Sequence, residues 1–211
     1  VYIIDDEAGV RESVARLAQA NGWNAKTYAS AESFLHENPS EGPACVIVDM
    51  HMPGMSGTQM QEQLEVQESS IPIIFLSGQS ELGTAVNALR HGAVDFLLKP
   101  VEAKTLLPVM RRAIVAHTQT LAVSKQRRDA AKRLEQLSER EMQVLQQVLR
   151  GRLNKQIAAD LGVVEKTVKV HRSHIMQKME AASLAELVQL CGLAGLTAEQ
   201  FRIDTAGIAA E

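Results

Sequence analysis

Five short apolar runs, each followed by a stretch with helical spacing of apolar residues, dominate the first half of the sequence. The runs read "VYII", "AKTY", "CVIV", "IPIIFL" and "DFLL". Near-continuous hydrophobicity is typical of strands that are buried on both faces, as in a parallel sheet covered by helices. We therefore predict an α/β fold of the flavodoxin-like, doubly wound kind, with a five-stranded parallel sheet. The predicted helices of this part cover residues 10–20, 31–36, 58–67, 84–90 and a stretch from about 105.

The length of 211 residues favours two domains, because about 100 to 200 residues per domain is usual. No apolar run approaches the roughly 18 to 20 residues that a membrane span needs, and the first residues lack a basic signal-like segment. We therefore expect a cytoplasmic protein without a membrane partner. The two cysteines, Cys45 and Cys191, both lie in apolar segments, which favours buried thiols over a disulfide or a cysteine metal site.

Charge is distributed unevenly along the chain. Residues 1–123 hold 8 Lys and Arg against 14 Asp and Glu, whereas residues 137–196 hold 8 against 6. An acidic first half and a mildly basic second half favour a second half that faces nucleic acid.

Polar side chains follow four of the five predicted strands. Asp5 and Asp6 follow the first strand, Asp49 the third, Ser77 the fourth and Lys99 the fifth. The carboxyl ends of parallel strands meet at one edge of the sheet, where such folds bind ligands. Three clustered carboxylates repel one another unless a cation joins them, and oxygen ligands of this kind suit Mg²⁺. A carboxylate beside such an ion and an ammonium group can accept a phosphoryl group.

The motifs "IIDDE", "VIVDMHMPGMSG", "FLSG" and "LLKP" resemble the four signatures of a bacterial two-component receiver domain, over residues 1 to about 118. The resemblance implies that Asp49 is the phosphoacceptor and that Ser77 and Lys99 contact the phosphoryl oxygens. It also implies a cis peptide bond before Pro100. The Mg²⁺ ligands that it implies are Asp5, Asp6, Asp49 and the backbone carbonyl of His51.

Two further features of this part concern its last strand and last helix. Phe96 stands where receivers carry an aromatic residue that, with the hydroxyl of Ser77, reports phosphorylation; the alternative for Phe96 is ordinary core packing. Pro108 would interrupt a helix that began at Glu102, so we expect Thr105 to cap a later start.

Residues 119–136 are predicted to form a linker helix, because the sequence from about 113 to 136 contains neither Gly nor Pro. It carries a basic cluster that could contact DNA phosphates, although a solvated face is the favoured interpretation. The cluster consists of Lys125, Arg127, Arg128, Lys132 and Arg133.

The last part of the sequence predicts a small all-α helix-turn-helix domain. The segment "LSEREMQVLQQVLRG" begins with a capping box, Ser138 and Glu141. Asn154 is predicted to cap a short second helix, Gly162 to form the turn, and residues 165–179 to form the third helix. One face of this third helix is apolar apart from a histidine and should join the core: Val168, His171, Ile175 and Met179.

The motifs "LSEREMQVL", "NKQIAADLGV" and "KTVKVH" resemble the LuxR-type output domain. By this resemblance Lys169, Val170 and Ser173 would read DNA bases. The phosphate contacts that it implies are Asn154, Lys155, Thr167, Arg172 and Lys178. Val164 departs from the pattern, because a Ser usually caps the recognition helix at this position.

Together the motifs identify the chain as a member of the FixJ/NarL family of two-component response regulators with LuxR-type output, closest in pattern to FixJ-like regulators. The predicted domains are a receiver at 1–118, a linker helix at 119–136, a LuxR-type helix-turn-helix domain at 137–196 and a C-terminal tail at 197–211. The resemblance implies a transcription factor that a sensor histidine kinase phosphorylates on Asp49, that uses Mg²⁺, and that then binds double-stranded DNA. A dimer is expected, because the modest charge of one output domain would neutralise few phosphates. RNA polymerase is a further candidate partner.

The sequence also leaves two alternative functions. A DNA-binding regulator could have a receiver that is controlled by partners and never phosphorylated. An aspartyl-phosphate phosphohydrolase of the haloacid dehalogenase kind would need a second Asp two residues after its nucleophile, where His51 stands. The sequence therefore favours a protein that is not a dedicated enzyme, although it accepts a phosphoryl group and can autodephosphorylate.

Overall fold

The structure is a computed structural model that describes residues 1–37, 42–78 and 82–196. The chain divides into two compact units, the first from Val1 to Ala122 and the second from Val123 onward. The predicted tail, residues 197–211, lies outside the described residues.

The first unit is built around a five-stranded parallel sheet. The strands are β1 (Tyr2–Ile4), β2 (Lys26–Tyr28), β3 (Val46–Asp49), β4 (Ile73–Ser77) and β5 (Asp95–Leu98). Their order in the sheet is β2-β1-β3-β4-β5. This order and the alternation of strands and helices confirm the predicted doubly wound α/β fold. The first four helices are α1 (Ala8–Ala20), α2 (Ala31–His36), α3 (Gly57–Val66) and α4 (Leu82–Arg90).

Alternate residues of the buried strands point to opposite faces of the sheet and enter two separate apolar layers. Ile4, Val48 and Phe75 belong to one layer, and Ile3 and Ile47 belong to the other. Because both layers are closed by helices, the sheet holds the residues at its strand ends rigidly.

The fifth helix, α5, extends from Ala103 to Glu135 without a break. The prediction that Thr105 caps a later start is wrong, because the helix begins two residues earlier and contains Pro108. Proline lacks an N–H, so the carbonyl group of Lys104 loses its usual partner one turn later. The side chain of Lys104 is exposed, as expected where water can reach this turn. The residues predicted as a separate linker helix continue α5. Its receiver-side core residues are Leu106, Val109, Met110 and Ala113.

Up to residue 196, where the described part ends, the second unit contains the end of α5 and four further helices around one apolar cluster. The helices are α6 (Glu139–Leu149), α7 (Asn154–Leu161), α8 (Glu165–Lys178) and α9 (Leu184–Leu193). Ser138 and Glu141 form the predicted capping box, and Gly162 ends α7 in the left-handed conformation with φ of 65°. The core face of α8 is confirmed for Val168, Ile175 and Met179, which are all buried, whereas His171 is half-buried.

Asn154 does not cap α7 as predicted. It is the first residue within the helix, Leu153 occupies the cap position, and the side-chain oxygen of Asn154 accepts a hydrogen bond from Arg172 instead. The backbone N–H of Leu153 donates a hydrogen bond to Oε1 of Gln156 at 2.9 Å. Val164 caps α8 without a side-chain hydrogen bond, as its apolar side chain requires.

Within the part of the chain that the structure describes, none of the helices is both long and apolar enough to cross a membrane.

Candidate functional site

Four of the predicted site residues lie at the carboxyl ends of adjacent strands. Asp49 is the last residue of β3, Ser77 is the last residue of β4, and Asp5 and Lys99 directly follow β1 and β5. The register pairs Asp49 with Leu76, so Ser77 lies one residue beyond Asp49 on the neighbouring strand. The sheet therefore brings these four residues to one edge, as the sequence predicted.

Lys99 joins two of the carboxylates. Its ammonium nitrogen lies 2.7 Å from Asp49 Oδ2 and 2.7 Å from Asp5 Oδ2. Asp5 is 1% exposed and the side chain of Lys99 is 14% exposed, so water screens these ion pairs weakly. The predicted cis peptide bond between Lys99 and Pro100 is present.

Burial and charge shift the pKa values of this group in opposite ways. Burial raises the pKa of Asp5 above its usual range, although hydrogen bonds from Lys99 and the backbone of Glu7 oppose the shift. Burial alone would lower the pKa of Lys99, but its hydrogen bonds to Asp49 and Asp5 outweigh burial and raise it. Lys99 is therefore a permanent cation beside two acids.

The three aspartates also form a candidate metal site. One carboxylate oxygen from each of Asp5, Asp6 and Asp49 lies within 4.8 Å of the others, with Asp6 exposed and the other two buried. An all-oxygen set that is open to water on one side suits Mg²⁺, which keeps several of its waters. The residues present therefore fit the ion that the sequence implied.

The loop after β3 passes close to Asp49. The backbone N–H of His51 donates to Asp49 Oδ1 at 3.1 Å. A Cβ atom at Gly57 would lie 2.5 Å from the backbone oxygen of Asp49 and 3.0 Å from the ring of Phe75. Only glycine fits at this approach of backbone to backbone. Phe96 is half-buried on β5 and packs against the apolar layer that contains Phe75.

Two residues near the site were not singled out from the sequence. Glu7 lies 3.4 Å from the ammonium nitrogen of Lys99, and its backbone N–H donates to Asp5 Oδ1 at 2.9 Å. Arg11 donates to the backbone oxygen of Asp5 at 2.6 Å. The run "DDE" is a signal that could have indicated Glu7, whereas the position of Arg11 depends on how α1 packs.

In the second unit, the candidate base-reading residues lie on the exposed side of α8. Lys169 and Ser173 are exposed, and Val170 is 46% exposed despite its apolar side chain. Lys169 is 3.5 Å from Glu165 one turn earlier, an exposed pair that water screens. An exposed cation, hydroxyl and small apolar group are the groups that can bind phosphates, base edges and a thymine methyl.

The candidate phosphate contacts differ in how they are bonded. Lys155 is exposed and Thr167 is half-buried. Arg172 Nη1 donates to Asn154 Oδ1 at 2.9 Å, and this hydrogen bond joins α8 to α7. Lys178 lies 2.7 Å from Glu141 Oε2 and donates to the backbone oxygen of Gln136 at 3.1 Å.

Comparison with known families separates the two units in the same way. Residues 1–111 match the response regulator receiver domain, and residues 135–191 match the family described as bacterial regulatory proteins, luxR family. The chain belongs to the response regulator family. It is a response regulator with a receiver domain and a LuxR-type DNA-binding domain, a family of transcription regulators and not of dedicated enzymes.

Individual relatives resemble this response regulator over most of its length. It is 40% identical over 190 residues to the response regulator protein TodT of Pseudomonas putida. The aligned residues cover 90% of this chain and 84% of TodT. It is 36% identical to the transcriptional regulatory protein FixJ of Azorhizobium caulinodans, over 93% of each chain. A solved structure of the response regulator StyR matches it with a TM-score of 0.84 and 38% identity, over 90% of this chain and 96% of StyR.

Proposed function

We propose that this response regulator is switched by phosphorylation of Asp49 by a sensor histidine kinase, and that the phosphorylated form binds DNA as a dimer and regulates transcription. The observation that supports it best is the ion pair of Lys99 with Asp49 and Asp5, because it places a fixed cation directly beside the proposed nucleophile. The names of TodT and FixJ, a response regulator and a transcriptional regulator, agree with this function.

The transfer uses one carboxylate oxygen of Asp49 as the nucleophile. This oxygen forms a bond to the phosphorus of a phosphohistidine while the phosphorus–nitrogen bond of the donor breaks. The nitrogen keeps the electron pair of that bond, and the ring takes up a proton from water and leaves as neutral imidazole. Asp49 suits this role because β3 holds it rigidly and because the backbone N–H of His51 orients its Oδ1. A carboxylate oxygen attacks with its own lone pair, so this step needs no general base.

Negative charge on the transferred group is balanced by residues from two other strands. Lys99 would keep its position beside Asp49 and contact one phosphoryl oxygen, and the hydroxyl of Ser77 would donate to another. Asp5, Asp6, Asp49 and the backbone carbonyl of His51 would hold Mg²⁺. The ion would supply positive charge to the phosphoryl oxygens when it is bound.

The switch would then pass from Ser77 to Phe96 on the neighbouring strand β5. Ser77 pairs with Leu98 in the sheet, and Phe96 lies two residues before Leu98. A hydroxyl drawn toward the phosphoryl group leaves space that an adjacent aromatic ring can enter. We propose that this rearrangement favours the DNA-binding form as a population shift. Two output domains would bind paired half-sites about one helical turn apart.

Intact-mass measurement after incubation with acetyl phosphate and Mg²⁺ tests the proposed phosphorylation. We expect one added phosphoryl group on the wild-type chain, none after Asp49→Asn substitution, and none when Mg²⁺ is removed by a chelator. A Glu62→Gln variant serves as the control, because Glu62 is exposed on α3 and is not one of the three clustered aspartates. Equal modification of the wild type and the Asp49→Asn variant would exclude Asp49 as the acceptor.

A further inference from the structure

A carboxylate outside the aspartate cluster is bonded to the loop that follows Asp49. Glu32 lies in the first turn of α2, and its Oε1 accepts a hydrogen bond from the backbone N–H of Met55 at 2.8 Å. The two residues are 23 positions apart in the sequence. The contact therefore joins a helix at one side of the sheet to the loop between β3 and α3.

Other hydrogen bonds fix the two ends of this loop. The N–H of Gly57 donates to the backbone oxygen of Met50 at 3.1 Å, and Ser56 forms a capping box with Gln59 at the start of α3. These bonds hold the points where the loop leaves β3 and enters α3. The contact with Glu32 adds an attachment between them, at Met55.

The backbone at Gly54 passes close to the same carboxylate. Gly54 has a φ of 81°, and a Cβ atom there would lie 2.8 Å from Glu32 Oε1. The loop thus passes close to the carboxylate oxygen, and the positive φ at Gly54 favours glycine there. Hydrogen bonds from its own backbone N–H, from Met55 and from the hydroxyl of Ser30 lower the pKa of Glu32, so the carboxylate is ionised when it accepts them.

The same loop begins with His51, whose main chain is bonded to Asp49. A shift of the loop would therefore move the His51 carbonyl relative to the three aspartates. We propose that Glu32 is a positioning residue, whose hydrogen bond to Met55 holds the loop so that the His51 carbonyl and the aspartates bind Mg²⁺ together. The proposal rests on the proposed function, because it assigns a role to Glu32 in that same Mg²⁺ site.

Calorimetric titration of the full chain with Mg²⁺ tests this role directly. Loss of one hydrogen bond to an ionised acceptor suggests that Glu32→Ala weakens Mg²⁺ binding by about three- to tenfold. Glu32→Gln keeps an oxygen acceptor at the same position and is expected to restore binding to within about twofold of wild type. Glu12→Ala is the matched control, because Glu12 is an exposed helical glutamate that pairs with Arg16 on α1.

Two further measurements distinguish positioning from a general loss of structure. The melting temperature of Glu32→Ala is expected to match that of Glu12→Ala, and the amide hydrogen of Met55 is expected to exchange faster in Glu32→Ala alone. Wild-type Mg²⁺ affinity in Glu32→Ala would overturn the proposal, and so would equal weakening in Glu32→Gln, because the hydrogen bond would then not be the cause.

Failure of the underlying function would give a different result. If the wild-type chain bound no Mg²⁺, or bound it equally after Asp49→Asn substitution, the aspartate site itself would be wrong. If wild-type binding needed Asp49 and only Glu32→Ala had no effect, the Mg²⁺ site would stand and the role of Glu32 would be rejected.

Discussion

The ammonium nitrogen of Lys178, at the end of α8, lies 2.7 Å from Oε2 of Glu141 on α6. Glu141 is buried, and the same oxygen accepts the backbone N–H of Ser138 at 2.8 Å. The ion pair therefore fastens the end of α8 to the start of α6. Lys178 is bonded within the domain, although the sequence motif had placed it among the phosphate contacts.

This ion pair should make the second unit sensitive to acid. The hydrogen bond from Lys178 is the main cause that lowers the pKa of Glu141 to about 2. An acid whose pKa is lower in the folded state stabilises the fold above its unfolded pKa, and that stabilisation is lost as the pH falls through the folded value. We expect the unfolding temperature of the second unit to fall between about pH 4.5 and pH 2, as measured by scanning calorimetry of the full chain.

A Lys178→Met variant provides the comparison for this pH dependence. It should unfold more easily at neutral pH, by about 1 to 3 kcal/mol, because the buried carboxylate loses a charged hydrogen-bond donor. The difference from wild type should shrink as the pH falls and Glu141 becomes protonated. Lys166→Met, on the exposed side of the same helix, is the control. A difference that stays constant between neutral and acid pH would show that the ion pair does not cause the shift.

The salt dependence of DNA binding should distinguish the roles of Lys155 and Lys178. Lys155 is exposed, so its substitution by alanine should weaken binding and reduce the slope of log affinity against log salt by about 1. Lys178→Met should leave that slope unchanged, because its ammonium group is already paired. Fluorescence anisotropy at several salt concentrations, with DNA from the region upstream of the gene that encodes the protein, gives both slopes. A reduced slope for Lys178→Met alone would reverse the assignment.

Gly57 should tolerate no side chain. A Cβ atom there meets the backbone oxygen of Asp49 at 2.5 Å, and backbone atoms of a buried strand end cannot move aside cheaply. We expect Gly57→Ala to lower the free energy of unfolding of the receiver by about 1 to 3 kcal/mol. Gly9→Ala on α1 is the control, because that position is open and alanine should stabilise the helix by up to about 1 kcal/mol. Chemical unfolding followed by the fluorescence of Trp23 measures both changes.

Removal of Lys99 should make receiver stability depend on Mg²⁺. Lys99→Met leaves Asp5 and Asp49 without their shared cation, which should cost about 3 kcal/mol in the presence of a chelator. Added Mg²⁺ should recover much of this loss, since it also balances the carboxylates. Lys104→Met is the control, because Lys104 is exposed and pairs with Glu102. Equal destabilisation with and without Mg²⁺ would indicate that the aspartates do not bind the ion.

The sequence predicted well those parts of the structure that a pattern among neighbouring residues determines. Apolar runs such as that ending at Asp49 are typical of strands buried on both faces of a parallel sheet, and such a sheet brings the strand-end residues together. The capping box of Ser138 and Glu141 likewise defines a helix start through bonds between neighbouring residues. Such features need no knowledge of distant contacts.

The contacts that the sequence did not predict depend on partners that are distant in the sequence. Asn154 has a side chain suited to helix capping, but Arg172 on the next helix provides a charged donor that it binds instead. The contacts of Lys178 with Glu141 and of Glu32 with Met55 likewise join separate elements. Pro108 was expected to delay the start of α5, but packing of that helix on the receiver outweighs one lost backbone hydrogen bond.

The most direct test of the phosphorylation switch is DNA binding at fixed salt, with and without beryllofluoride and Mg²⁺, for the wild type and for Asp49→Asn. Beryllofluoride with Mg²⁺ takes the place of the phosphoryl group on an aspartate. We expect the wild type to bind its upstream DNA more tightly only when both are present, and Asp49→Asn to show no gain. Equal affinity of the wild type with and without them would contradict the switch and would favour a receiver that is controlled by a partner.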